Sequence, residues 1–444
     1  MTTVEISPAR LAALRILKQA RESGLPLSEV LHGRTADLIG RLAPRDRALT
    51  MEIVYGTLRW QGQLDWLLER VAERSVDRIQ STVLLILRMS LYQIRFLDRV
   101  PEPAAVNEAA LLARESHLEG LVGFINGVLR GAIRRSDELN EALASAPEWI
   151  RQSHPEWLWV RWQKRFGAEA ARALAARNNE PPPSTLCCNF KKADARTLVE
   201  RLRRDGVVVE NSRWVDGSFR VVSGDVTSSS AFKNGLAWLQ DEGSQLAASL
   251  GTLRGVSKIV DLCSAPGGKS FFWARDRALE VCSFDINVER ALAMERRRIL
   301  YGLDNVAIVA ADARQRLPIG FKPDLVFVDA PCSGLGTIRR NPDIRWKIEA
   351  ADLARFQERQ LAILQSAAGV QAPHLIYVTC STEPEENEQV VEAFLASQKH
   401  YRRLFPAQAA LKRLVDTQGY FRTFPAEDDI DGFFGAVFRL SASF

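Results

Sequence analysis

Between Asp324 and Thr379 a short apolar run, a helical stretch and a second apolar run follow one another, and this unit narrows the possible folds most. Asp324-Leu-Val-Phe-Val-Asp329 and His374-Leu-Ile-Tyr-Val-Thr379 read as strands buried on both faces, and Asp352 to Ala368 carries helical apolar spacing. A strand–helix–strand crossover has one hand and returns parallel. If the two strands are neighbours, both end at the carboxyl edge of the sheet, where open α/β folds bind ligands. Each strand is followed by a cysteine: Cys332 in Asp329-Ala-Pro-Cys332-Ser-Gly334, and Cys380 in Val378-Thr-Cys380-Ser-Thr382. Two thiols facing one pocket suit a reaction in which a nucleophile adds to a base and is later eliminated.

The same alternation runs from about residue 231 to the end. Strands are predicted near Lys258–Cys263, Glu280–Ile286, Val306–Asp312, Asp324–Ala330 and His374–Thr379, with helices between them such as Val288–Leu300. Late strands near Gly419–Phe424 and Gly432–Leu440 are expected to close the sheet as a hairpin. The pattern is that of a doubly wound, Rossmann-like α/β sheet.

Upstream the character differs. Residues 1–140 read as all helix: Ser7-Pro8 opens the first, and apolar-periodic stretches follow through Leu49–Trp60, Leu64–Val71, Ser81–Phe96, Ala104–Ala113 and Leu118–Ile133. Residues 141–230 read as a linker and a small α+β module, with Asn178-Asn-Glu-Pro-Pro-Pro183 as a stiff boundary. In the module, strand-like Thr185–Phe190 and Val207–Glu210 flank a helix at Ala193–Asp205. Residues 231–444 form the α/β domain.

At 444 residues and 46% hydrophobic the chain is long enough and apolar enough for about three folded domains. No apolar run nears the roughly 18 residues of a membrane span. Met1-Thr-Thr-Val-Glu5 lacks the layout of a secretory signal, so a cytoplasmic protein is expected, with no membrane partner. The net charge of +5 is a modest surplus. It concentrates in Arg151–Arg165, in Lys191–Arg204 and at Arg339-Arg340, as an anionic partner would require. None of the six cysteines forms a C-x-x-C pair, so no metal site is expected.

The first strand of the α/β part leads into Asp261-Leu-Cys263-Ser264-Ala265-Pro266-Gly267-Gly268-Lys269-Ser270. Small residues let a ligand approach the backbone, and a helix starting near Gly268 offers free N–H groups. The spacing fits neither the dinucleotide nor the P-loop pattern. It suits a nucleoside with an amino-acid tail. Asp261, Asp285 and Asp312 are expected at strand ends around this loop. Asp285 is placed for ribose hydroxyls and Asp312 for an adenine amino group.

Three blocks, Asp261–Ser270, Asp329–Gly334 and Thr379–Glu388, resemble the signatures of the Sun-type RNA cytosine-5 methyltransferases, and Gln240–Gln245 resembles the block before the cofactor loop. Leu42–Arg47, Tyr55–Arg59, Val106–Ala109 and Phe124–Arg130 are similar to the NusB-type RNA-binding helical domain. His154–Leu158 and Asn178–Pro182 match the middle of proteins with that layout, which act on small-subunit (16S) ribosomal RNA. The resemblance covers nearly the whole chain. It implies S-adenosylmethionine as methyl donor, bound by Cys263, Ser264, Ala265, Pro266, Gly267, Gly268, Lys269, Asp285, Asp312 and Asp329. It implies Cys380 as nucleophile; the chemistry of release, which needs a second group in the pocket, points to Cys332, acting directly or through water. Ser264 stands where the family often has Ala, and Asn341 where His is common.

Carbon 5 of cytosine is too weak a nucleophile to take a methyl group unless a thiolate first adds at carbon 6. The residues alone leave open which thiol attacks, since DNA cytosine methyltransferases use a Cys after Pro, as in Pro331-Cys332; the resemblance assigns Cys380. Asp329 is expected to hold the Watson–Crick edge of the base. Arg161, Lys164, Arg339 and Arg340 are the candidate RNA contacts. Acids in Glu385-Glu386-Asn387-Glu388 suit a helix N-terminus on charge grounds alone, and Asn387 is placed to brace the loop of Cys380. A monomer is expected. Two rivals remain: a transfer-RNA methyltransferase of the same chemistry, and a non-catalytic RNA-binding assembly or antitermination factor suggested by the helical part.

Overall fold

The computed structural model describes residues 6–33, 35–275 and 279–441; Met1–Glu5, on which the reading of the N-terminus rests, lie outside the described residues. The chain forms two compact units, one of residues 1–180 with 341–347, the other of 181–340 with 348–444.

The first unit is helical. Its centre is the helix Ser81–Phe96, whose residues Val83 to Gln93 are all buried. A helix apolar on every side must be surrounded, and Pro44–Arg59, Gln61–Ala72, Glu102–Glu115 and Val122–Arg134 surround it. Arg88 on the central helix is buried and forks onto Asp65 at 2.6 and 2.7 Å, which satisfies its charge. Helices run on past residue 140 through Glu156–Phe166 and Ala168–Asn178. Trp159 and Trp162 are fully buried there, so they serve packing rather than base stacking. Residues 341–347 belong to this unit. The Arg345 guanidinium, buried and among the described residues without a carboxylate partner, donates to Ser153 O at 2.9 Å, Asn178 O at 3.1 Å and Asn179 Oδ1 at 2.9 Å.

The second unit holds two sheets. The smaller comprises β1 (Thr185–Cys188), β2 (Val208–Asn211), β3 (Ser218–Ser223) and β4 (Ala237–Leu239), with helices Ala195–Arg204 and Ser230–Lys233 after β1 and β3. Its order, β2-β3-β1-β4 and all antiparallel, is the split β-α-β of a ferredoxin-like module. The expected strand–helix–strand start is present. β3 and β4 are additional, and only two of the six residues of β3 are buried, which weakens its apolar signature.

The larger sheet contains β5 (Lys258–Leu262), β6 (Glu280–Asp285), β7 (Val306–Ala310), β8 (Leu325–Asp329), β9 (His374–Thr379), β10 (Tyr401–Leu404), β11 (Phe421–Arg422) and β12 (Phe434–Leu440). The order is β10-β12-β9-β8-β5-β6-β7, with β11 on β12. β5 to β9 are parallel; β12 runs antiparallel to β9 and pairs with β11 as the expected hairpin. Along β8, Leu325 and Phe327 pack into one core and Val326 and Val328 into the other. Burial on both faces explains the unbroken apolar run. The chain leaves β5 toward β6 on one side and later returns to β8 on the other, so the strand order reverses beside β5. Open α/β sheets bind ligands at such a point.

Candidate active site

β8 and β9 are neighbours in register, with Asp329 opposite Val378, and Ala330 N continues the pairing to Val378 O at 2.9 Å. The chains therefore leave the sheet side by side. The Sγ atoms of Cys332 and Cys380 lie 3.3 Å apart, both as free, partly accessible thiols. The Cys332 thiol is held well above its ordinary range by its hydrogen bond with Cys380 and by burial, which favours its protonated form.

Backbone contacts fix these loops. Gly336 N donates to Cys380 O at 2.9 Å and Gly432 N to Gly336 O at 2.7 Å. A Cβ on Gly336 would fall 2.1 Å from Gly432 O and 2.9 Å from Cys380 O, so only glycine allows this approach. Asn387 braces the turn after β9: its Nδ2 donates to Ser381 O at 2.9 Å and its Oδ1 accepts from Thr379 Oγ1 at 2.5 Å. Glu386 accepts from Ser333 N at 2.7 Å, Ser333 Oγ at 2.5 Å, Gln360 Nε2 at 3.0 Å and the Ser381 hydroxyl. Its acid-rich neighbourhood gave it no more than a helix-dipole reading in the sequence; the one available signal was its position six residues beyond Cys380.

The loop after β5 lies beside them. Lys269 Nζ is 2.6 Å from Asp329 Oδ2, which joins this loop to the end of β8. Burial works against the Lys269 charge, but Asp329 more than offsets it and holds the ammonium above its ordinary range. Ser264 N and Oγ both donate to Phe284 O, at 2.8 and 3.1 Å, so the hydroxyl that replaces a methyl is satisfied locally. Ala265 N donates to Asp285 Oδ2 at 3.1 Å and Asn287 N to Asp285 Oδ1 at 2.9 Å. The loop is thus tied to the end of β6, and each Asp285 oxygen keeps a lone pair for another donor. The Ala265–Pro266 peptide is cis, and Gly267 holds φ 103° before the helix Gly268–Ala274. A Cβ on Gly267 would meet the Phe271 ring at 2.6 Å. The Cys263 thiol is pushed up by burial and then by the surrounding carboxylates, so it is an inert wall. Ile286, 60% exposed, adds an apolar surface beside Asp285. Carboxylates over bare backbone, flanked by an apolar side chain, fit a nucleoside with a charged tail.

Several expectations need correction. Asp261 is not at a strand end. It lies inside β5, fully buried, holding the Ser270 hydroxyl, and burial pushes its carboxyl up to about 8. It supports the following helix through Ser270. Asp312 lies two residues beyond β7 and is bound by Arg314, whose hydrogen bond holds the carboxyl below its ordinary range. Arg339 and Arg340 are both committed to carboxylates. Arg339 is 6% exposed and donates to Asp429 Oδ1 at 2.8 Å and Pro181 O at 3.0 Å. Arg340 bridges Asp431 at 2.9 Å and Asp241 at 2.8 Å. Their charges neutralise the half-buried Asp429 and the enclosed carboxylates of Asp241 and Asp431. Arg161, half-buried, and Lys164, exposed, lie on Glu156–Phe166 in the helical unit. Among the described residues no cluster of His, Cys, Asp and Glu could hold a metal ion, and no helix is long and apolar enough to cross a membrane.

Known proteins align with each part. Residues 7–134 match the NusB family, 154–226 the ferredoxin-like domain of RsmF/B-like methyltransferases, and 252–439 the 16S rRNA methyltransferase RsmB/F family. The probable ribosomal RNA small subunit methyltransferase B of Bacillus subtilis is 31% identical over 88% of this chain and 90% of its own length. The ribosomal RNA small subunit methyltransferase B of Pseudomonas putida is 32% identical over 98% and 99%. Among solved structures, PH0851 superposes with a TM-score of 0.81 over 98% of this chain and 99% of its own at 23% identity. NSun6 from Pyrococcus horikoshii superposes at 0.58 over 65% and 99% at 18% identity. Those two likenesses show the fold; the sequence relatives show the family. The chain belongs to the RsmB/F family of 16S rRNA methyltransferases, enzymes that take their methyl group from S-adenosylmethionine.

Proposed function

We propose that this protein methylates carbon 5 of a cytosine in 16S ribosomal RNA through a transient bond between Cys380 and the base. The observation that carries the reading is the 3.3 Å separation of the Cys332 and Cys380 sulfurs beside the Cys263–Lys269 loop. An unstacked base entering this cleft meets both thiols at once.

The residues divide the work as follows. Only a few per cent of a free thiol is ionised at neutral pH. The Lys269 ammonium supplies a positive charge that the Cys380 thiolate attracts. The thiolate adds to carbon 6, and an S–C bond forms as electron density moves onto carbon 5. S-adenosylmethionine, when bound, supplies the methyl cation equivalent. Ser264 to Lys269 and Asp285 hold it, with Asp312 at the rim where Arg314 must yield part of the carboxylate. Asp329 holds the Watson–Crick edge while Lys269 balances its charge. Release needs a base for the carbon 5 proton. Cys332 is held protonated by Cys380. Once the Cys380 sulfur is bonded to carbon 6, its hydrogen bond no longer holds the Cys332 proton; Cys332 gives that proton to water and, as the thiolate, takes the proton from carbon 5. The carbon 5–carbon 6 double bond then reforms and the Cys380 thiolate leaves.

The helical part and the ferredoxin-like module hold the RNA. Arg201, Arg203 and Arg204 stand exposed on the last turn of Ala195–Arg204 and supply phosphate contacts. The names of the full-length relatives favour small-subunit ribosomal RNA over transfer RNA, and intact thiols and cofactor loop argue against a purely structural RNA-binding factor. The enzyme works in the cytoplasm, where ribosomes are built.

Labelled methyl transfer to naked 16S rRNA, to a partly assembled small subunit and to transfer RNA tests the assignment. Product 5-methylcytosine in small-subunit RNA alone is expected. Product in transfer RNA alone supports the first rival, and RNA binding with no product the second.

A further inference from the structure

Glu386 is fully buried, and among the described residues no Lys or Arg pairs with it. Its charge is met by hydrogen bonds alone. Oε1 accepts from Ser333 N and Gln360 Nε2; Oε2 accepts from Ser333 Oγ and Ser381 Oγ. A carboxylate offers about four acceptor sites, so this one is saturated. None of the donors belongs to the helix Glu388–Ser397 that follows, which separates Glu386 from an acid that merely complements a helix end.

The donors sit where the chemistry is. Ser333 follows Cys332, and Ser381 follows Cys380. Gln360 Nε2, bound to Glu386, also donates to Pro331 O at 3.0 Å, on the other side of Cys332. The Tyr377 hydroxyl, on the strand that leads to Cys380, lies 2.6 Å from Glu386 O. One side chain thus grips both thiol loops from below.

We infer that Glu386 is the positioning residue that sets the gap between the two thiols, by clamping the Ser333 and Ser381 loops onto one carboxylate. This rests on the reading of Cys332 and Cys380 as partners in one reaction. The step from attack to release needs both sulfurs within reach of adjacent carbons of one base, and the clamp fixes that spacing before RNA arrives. Glutamine keeps the shape but turns one acceptor into a donor, which must then face Ser333 N–H or a serine hydroxyl.

The test reads the gap without using the reaction. Phenylarsine oxide closes onto two neighbouring thiols, its arsenic–oxygen bond and two S–H bonds giving two As–S bonds and water. In the full-length protein, capture at Cys332 and Cys380 is measured against C332A, which cannot be bridged there. E386Q is expected to lose capture by about 10-fold or more and kcat by about 100-fold, the effect of a displacement near 1 Å. Affinity for S-adenosylmethionine and KM for RNA should stay within about 3-fold, because the clamp touches neither site. E386D, which keeps the charge, should fall between E386Q and the parent. If E386Q does not fold, S381A removes one donor and should show a smaller loss in the same direction. Capture unchanged in the folded variants overturns the inference even if methyl transfer is lost. A parent protein that bridges arsenic and loses bridging on E386Q, yet methylates no RNA, would sink the reaction assignment and leave the clamp standing.

Discussion

Lys269 Nζ and Asp329 Oδ2 are 2.6 Å apart, and this pair ties the loop after β5 to the strand end that precedes Cys332. The pair is balanced only while both charges are present. Removing the ammonium leaves a carboxylate facing a sulfur that must itself become negative. K269M is therefore expected to slow formation of the Cys380–RNA bond by about 100- to 1,000-fold, as loss of a charge-stabilising group does elsewhere. Trapping with RNA that carries 5-fluorocytosine at the target measures that step directly. Equal rates in K269M and the parent would remove Lys269 from the attack.

Single substitutions at the two thiols separate their roles. C380A should abolish methyl transfer and yield no covalent RNA adduct. C332A should still attack and accept the methyl group but release slowly, so protein accumulates on RNA in a band that survives denaturing electrophoresis. The reverse pattern would make Cys332 the nucleophile, as in the Pro-Cys arrangement of DNA cytosine methyltransferases.

Much of this site was legible in the sequence because both thiols follow strands buried on two faces, and such strands announce themselves as unbroken apolar runs. The helix Asp352–Ala368 and the strand His374–Thr379 fall where periodicity predicts them. β10 and β3 carry Arg402, Arg403 and Arg220 and have half-exposed faces, so their patterns are diluted. Charged residues were the least legible. Arg339, Arg340 and Glu386 show a charge in the sequence but not its partner, and the partners of Arg340 lie 91 and 99 residues away. Asp261 looked like a strand-end ligand because the strand runs only one residue beyond it, yet it points into the core.

Arg340 offers a test of that distinction. Burial works against its charge, but Asp431 and Asp241 hold the guanidinium firmly protonated. R340A strands two buried carboxylates and should cost about 3–5 kcal/mol of stability. R340K keeps charge but loses the fork and should recover part of that loss. Urea unfolding measures both. A phosphate contact would behave otherwise: stability unchanged, RNA affinity reduced and its salt dependence shallower.

Asp261 makes the stability of the α/β part depend on pH in a predictable sense. Its carboxyl titrates near 3.8 when unfolded and is pushed up to about 8 by burial, against the opposing bond from Ser270. Between those values the folded state binds more protons at this site than the unfolded state, so stability falls as pH rises. The contribution is complete below the unfolded value and lost as pH climbs through the folded one. Among the described residues Oδ1 of Asp261 has no hydrogen-bond partner, which a neutral carboxyl tolerates better than an anion. D261N replaces the titrating group with a neutral one of the same shape, and its amide oxygen still accepts from Ser270. The variant should therefore lose the decline between about pH 5 and pH 8 that the parent shows, and gain on the parent most at the alkaline end, where Asp261 would have to ionise in the core. Chemical unfolding of both proteins across that range reads the difference. Parallel pH profiles would mean that Asp261 is ionised in the fold, and that the Lys269–Asp329 pair above it must then carry a second buried negative charge.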